Sequence, residues 1–412
     1  MSVRLEGIKF NHDPAAATND ALSIRRNKTT FVDVPEWRRG VSVAPEDSVA
    51  AYAMEATRGR TLTIQAQFSC ATEKPGSIEV RAVDPTVNPP APGGCPGGCL
   101  PLWRAIAALI RDLFGNALGE VKAKRITCTR GQTGWETFEL ENVRVWQVGV
   151  GVHITTWRWQ YRIGSGPWTD MQTTQHRIYV LVDVPTLPWV QAPFDPANIE
   201  LPWTEVMDYA CQWAVLAPDR DAAATAVTAG INNLGPNRIA YDCPGGGSTH
   251  YANPTFNCTA FLDRLGGGPG NGQLVNCTDC ATFTSTFANV LGCDLWQSRM
   301  SPSSGWSFGL NDILAIGSST WFPGCPNWSG HSFSYHEVAW KGACTDTDEI
   351  FDACLQVDGD PDPTAPPHTA LLPTNMRFGT PGSGDYRDRL STPAGRPDCT
   401  PQPTTRQRRS VM

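Results

Sequence analysis

Five prolines between Pro185 and Pro202 mark the place where the hydrophobic period of this chain changes. Upstream, apolar and polar side chains alternate, the period of a half-buried strand. Downstream, apolar residues return every three or four positions, the period of a helix face, before strand-like runs resume. Proline fixes φ and withholds an N–H, so a proline-rich run reads as extended linker. The chain therefore reads as an α+β protein in four parts. An antiparallel β-sandwich spans residues 1–188, a proline-rich linker 189–202, a mixed α+β domain 203–376, and a basic, proline-rich tail 377–412.

The strand signals of the first part are specific. Thr61 to Phe68 and Ser77 to Val83 alternate polar and apolar residues. The run from His153 places Trp157, Trp159, Tyr161 and Ile163 on one face and Arg158, Gln160 and Arg162 on the other. Gly164 to Pro167 is a turn signal, the partner strand returns from Trp168, and Arg177 to Val184 is a β-branched run. A Pro/Gly loop over 84–101 carries Cys95 and Cys99, and Leu102, Ile106, Leu109, Ile110, Leu113 and Phe114 then recur at helical spacing. Two cysteines alone are too few for a zinc site, so Cys95 and Cys99 read as loop thiols or a small disulfide. His153 and His176 read as sheet-face histidines. Nothing in this part points to catalysis, and docking of a protein partner is its expected role.

The chemistry lies in the second part. Trp203, Val206, Met207, Ala210, Trp213 and Ala214 mark one helix face, and Asp219 to Leu234 is an alanine-rich second helix. Cys280, Phe283, Phe287 and Leu291 form the stripe of a third, closed by Gly292 and capped by Asn276 or Thr278. Cys277 thus sits at a helix N-terminus, where unpaired N–H groups and the positive dipole end favour the nucleophilic thiolate. A thiolate needs a base, and the base an orienting group. His336 lies in a strand-like run from Ser332 to Trp340, and Asp352 near the start of another from Ile350 to Val357. A short polar connection makes the two runs antiparallel neighbours, across which His336 and Asp352 meet. Cysteine, histidine and aspartate in that order satisfy a Cys-His-Asp site.

These segments resemble the transglutaminase-like superfamily of papain-type thiol enzymes over residues 203–358. The Gly-x-Cys-x-Asp-x-Ala motif of that family is matched by Val275-Asn276-Cys277-Thr278-Asp279-Cys280-Ala281, with Leu291-Gly292 closing the helix. His336-Glu337-Val338 matches its histidine strand and Asp352-Ala353-Cys354-Leu355 its aspartate strand. Val275 replaces the usual glycine, and Cys280 adds a formal Cys-x-x-Cys without the βαβ setting of a redox motif. The resemblance implies acyl transfer on amides, with Cys277 as nucleophile, His336 as base then acid, and Asp352 as orienter. The Cys277 N–H would donate to the oxyanion, and Tyr241 or Gln273 is the candidate second donor. Peptide or isopeptide hydrolysis is the leading expectation. Amine transfer and an inactive adaptor of the same fold are the alternatives.

Composition narrows the setting. Hydrophobic residues make up 41% and charged ones 18%, which excludes wholesale disorder. A net charge of −7 argues against nucleic acid as partner. The longest apolar stretch, Leu102 to Phe114, is short and broken by Arg104, Arg111 and Asp112, so no membrane partner is expected. The first residues lack an apolar leader, which points to the cytoplasm or a non-Sec export route. The fourteen cysteines would suggest disulfides in a secreted chain, a setting that fits less well here, and the Asn27, Asn257, Asn276 and Asn327 glycosylation patterns read as chance. Residues 200–376 hold 5 basic and 18 acidic side chains, and the tail 7 basic and 3 acidic. That contrast favours basic peptide substrates, or a tail folded back as a strap over the cleft. Asp358 to Asp362 starts like a calcium loop, but Pro363 and Thr369 occupy the positions that need Gly and Glu. No metal or cofactor is expected, and His250 and His331 read as loop residues without partners.

Overall fold

The computed structural model describes residues 2–13, 19–71, 76–87, 115–191, 197–243, 247–303, 305–321 and 331–412. Cys95, Cys99, the helix expected from Leu102 and Asn327 lie outside them. Two compact units emerge. The first comprises residues 1–24, 31–184 and 191–196, and the second 25–30, 185–190 and 197–412. Among the described residues no helix is long and apolar enough to cross a membrane.

The first unit is one hydrogen-bonded sheet of nine strands, where two facing sheets were expected. Their order is Trp37–Arg38, Val3–Lys9, Thr63–Cys70, Glu136–Glu141, Glu120–Cys128, Gly76–Val83, Gly151–Arg162, Thr169–Leu181 and Val49–Ala53. Neighbours are antiparallel except the last two strands, which pair in parallel. Strand twist lets such a sheet curl and bury its own face. Phe68 and Phe138 accordingly pack on Trp159, several strands away in the order, with ring centroids 5.7 and 6.2 Å apart. Trp157 and Trp159 are core residues, as their alternation implies. Tyr161 is only half-buried, and Ile163, one residue past the end of its strand at Arg162, is 52% exposed. Inside the core, His176 bonds Ser48 and Thr174 at 2.8 Å each, and burial pushes its pKa down to about 3. A disulfide joins Cys70 to Cys128, and Cys243 is also disulfide-bonded.

The second unit is built around the helix Cys277–Val290, every residue of which is buried. It packs on the strands His336–Lys341 and Leu295–Ser301 and against the helices Thr204–Trp213 and Arg220–Asn232. The five-stranded antiparallel sheet runs Thr374–Arg377, Glu349–Phe351, His336–Lys341, Leu295–Ser301, Thr400–Gln407. Phe283 stacks on Phe261 at 3.7 Å and Phe287 tilts against Trp213 at 5.3 Å. Phe261 belongs to a helix, Cys258–Leu265, whose Asn257 cap the sequence reading missed among its glycine-rich flanks.

Two expectations change here. Part of the linker is pinned: Trp189 is buried and donates to the Thr286 carbonyl at 2.9 Å, and Asn289 donates to the Leu187 carbonyl at 2.7 Å. The tail is no solvated strap either. It supplies the helix Tyr386–Leu390 and the edge strand Thr400–Gln407. An edge strand tolerates Pro401 and Pro403 because one row of its N–H groups faces no partner. Arg406 and Arg408 lie over the Trp296 ring at 3.5 and 3.8 Å, so the basic residues add to the backbone pairing that docks it.

Candidate active site

Asn276 caps the central helix, its side chain accepting from the Asp279 N–H at 3.0 Å while Asp279 accepts from the Asn276 N–H at 3.1 Å. The fully buried Asp279 carboxylate also takes the N–H groups of His250, Tyr251 and Ala252 at 2.8–3.0 Å. Burial pushes its pKa up, against those backbone donors. This capped turn holds Cys277 at the first helical position, 4% exposed.

His336 opens its strand and is fully buried, with Phe333 stacked on its ring at 5.3 Å. The register pairs Ala339 with Phe351, which puts Asp352 diagonally across from His336. The His336 Nε2 to Asp352 Oδ2 distance is 2.9 Å. Asp352 lies in the gap between Glu349–Phe351 and Leu355–Asp358, and its other acceptor sites are filled. The Tyr386 hydroxyl donates to Oδ2 at 2.7 Å, and the Cys354 and Leu355 N–H groups donate to Oδ1 at 2.8 and 3.3 Å. Nδ1 of His336 is buried and makes no hydrogen bond of standard geometry. The Cys277 thiol is nonetheless near enough to act on the ring both as hydrogen-bond partner and as charge, so the contact is loose rather than absent. Burial opposes the imidazolium, the Asp352 carboxylate outweighs it, and the His336 pKa rises to about 10.

Cys277, His336 and Asp352 are thus brought together from three separate segments. Tyr241 joins them: its strand pairs in parallel with Leu274–Val275, and Cys277 acts on its phenol. Burial pushes that phenol's pKa up, so it keeps its proton. Gln273 is not brought in. It is exposed, one residue ahead of that strand pair. His250, expected to be unpartnered, bonds Asp242 through Nε2 at 3.0 Å. Asp358 receives His368 Nδ1 at 2.7 Å, and His368 Nε2 reaches Asp312 at 3.1 Å. Sequence reasoning missed Tyr386, whose partner lies 34 residues away with no local pattern to flag it. It also missed the Cys280–Cys354 contact, a buried thiol pair beside Cys277 in which burial raises both pKa values.

No protein-family model matches the chain, and no curated protein matches it. Among solved structures it is similar to red sea bream transglutaminase, with 11% identity and a TM-score of 0.35 over 77% of this chain and 50% of that one. The chain therefore spans half the length of that structure. The site rests on its own geometry.

Proposed function

We propose that the second unit is a thiol-dependent acyl-transfer enzyme that hydrolyses amide bonds, a peptidase or amidase on a transglutaminase-like frame. The observation that carries this reading is the imidazole of His336, held by Asp352 on Nε2 and adjoined by the Cys277 thiol. Cys277 gives its proton to Nδ1, and the thiolate attacks the amide carbonyl. The oxyanion is met by the Cys277 N–H, which has no acceptor within its own helix, and by the Tyr241 hydroxyl. The imidazolium protonates the leaving amine as the C–N bond breaks, leaving a thioester. His336 then takes a proton from water, which attacks the thioester and releases the acid. Asp352 keeps the ring oriented and stabilises its charge throughout. Five basic against 18 acidic residues over 200–376 make basic peptides the favoured substrate class.

The test is alkylation of the full chain with iodoacetamide near pH 6, followed by peptide mass mapping. Rapid, stoichiometric labelling of Cys277 is expected, falling about 100-fold in His336→Ala. Hydrolysis of basic peptides should disappear in Cys277→Ala, and adding a primary amine separates transfer from hydrolysis. The 4% exposure of Cys277 favours a second reading, an inactive docking protein of the same fold. Slow, equal labelling of all accessible thiols would select it.

A further inference from the structure

Glu337 follows His336 on the same strand, and its carboxylate is fully buried beside the first turn of the Cys277 helix. Its Oε2 accepts from the Thr278 hydroxyl at 2.9 Å, one residue along from the thiol. Thr278 also meets the Tyr335 hydroxyl at 3.3 Å. The Cys277–Thr278 step is therefore docked on three consecutive residues, His336 facing the thiol and Tyr335 and Glu337 gripping Thr278.

Glu337 takes its countercharge from far along the chain. Arg409 donates from Nη1 to Oε1 at 2.7 Å and from Nη2 to Oε2 at 3.4 Å. It is buried itself, and Nη1 also donates to Thr282 on the Cys277 helix at 3.1 Å and to Gln297. Arg299 adds a longer contact to Oε2 at 3.3 Å from a more exposed position, its guanidinium over the Tyr335 ring. A buried carboxylate without such partners is costly and disfavours any second negative charge nearby. The ionisable groups around the thiol are His336, Tyr241, Tyr335, Cys280 and Cys354, with Asp279 and Asp352 behind them. Of these, His336 brings positive charge.

We infer that Arg409 is a positioning residue for Cys277: by neutralising Glu337 it keeps the Cys277–Thr278 step docked on the His336 strand and spares the thiolate a neighbouring buried anion. The inference rests on Cys277 being the nucleophile. It gives the last residues of the chain a part in reactivity that their exposed-looking, arginine-rich sequence does not announce.

The test measures iodoacetamide alkylation of Cys277 from about pH 5 to about pH 9 in the full chain, where the rate follows the thiolate fraction. The variants are Arg409→Met, Glu337→Gln and the double variant. Arg409→Met should slow alkylation at pH 6 about tenfold and move the rate profile up by about one pH unit. Glu337→Gln should move the profile down, and the double variant should return toward wild type. A double variant as slow as Arg409→Met would reduce Arg409 to a fold-supporting residue and overturn the inference, as would profiles that all coincide with wild type. Should Arg409→Met not fold, the Glu337→Gln profile decides alone: displacement to lower pH supports the inference and coincidence with wild type defeats it. Wild-type Cys277 that labels no faster than the other thiols would instead remove the nucleophile reading, and this inference with it.

Discussion

Asp352 illustrates how much a single buried carboxylate must be given before it can serve. It accepts from one imidazole, one phenol and two backbone N–H groups. Tyr386→Phe removes one of these donors and should cost about 1–2 kcal/mol of stability in a urea unfolding curve. If the proposed amide hydrolysis holds, its turnover should fall more than substrate binding, because ring orientation is lost rather than contact area. His336 makes a pH-dependent contribution with a definite sign. Its folded pKa is raised from 6.5 to about 10. The stability it contributes is therefore complete below pH 6.5 and lost as pH rises through about 10. The unfolding free-energy difference between wild type and His336→Asn should shrink accordingly between those limits. Glu36, in the first unit, shows the same sign for a different reason. Burial raises its carboxyl to about 7, although it accepts the Phe10 and Asn11 N–H groups at 2.9 and 3.0 Å. Its folded form favours the proton, so the first unit should lose stability, on the order of 3 kcal/mol, as pH rises from about 4.5 to about 7. Glu36→Gln should flatten that slope in a pH series of thermal melts.

At the scale of elements, the Cys277 helix is unusual in burying a polar stripe as well as an apolar one. Phe283 and Phe287 face the aromatic core, while Thr278, Thr282, Ser285 and Asn289 recur along another side. Each of the four finds a partner: Glu337, Arg409, Gln297 and the Leu295 backbone in turn. Buried polar rows hold only when every member is satisfied, so this row ties the helix to one register on the sheet. The helix ends are legible locally. Asn276 starts it and Gly292, at φ 88°, stops it in the left-handed region. Asn276→Ala should cost about 1–2 kcal/mol in chemical denaturation, more than an exposed cap, because the Asn276 side chain also donates to Gly247 and Thr249. The alternation of Thr63–Cys70 was equally legible, but the extra residue that Thr169–Leu181 carries opposite Arg158–Gln160 was not, because a bulge leaves no mark in the residue pattern.

On the scale of the whole molecule, the C-terminal residues decide more than their composition implies. Removing 400–412 takes away the edge strand of the sheet and the Arg409 partner of Glu337. Such a truncation should lower the melting temperature of the second unit and abolish Cys277 labelling, whereas a dispensable strap would leave both intact. The Val411 backbone bridges to Phe256, which extends the same anchoring to the last turn of chain. In the first unit, the Cys70–Cys128 disulfide closes a loop of 58 residues. Replacing both cysteines by alanine should destabilise that unit by about 4 kcal/mol in the chain-entropy account.

The sequence by itself determined what local rules govern. It placed the period of each half, the caps of the Cys277 helix, and the antiparallel neighbour of the His336 strand, at whose end Asp352 falls. Caps, turns and side-chain alternation are set within a few residues, so they are written in order along the chain. Only the tertiary structure decided that the first unit is one curled sheet, that Gln273 stays exposed, and that Tyr386 and Arg409 stand behind the site. Those outcomes depend on which buried charge needs which distant partner. Glu337 and Arg409 are 72 residues apart, and nothing near either one says that burial will make them meet.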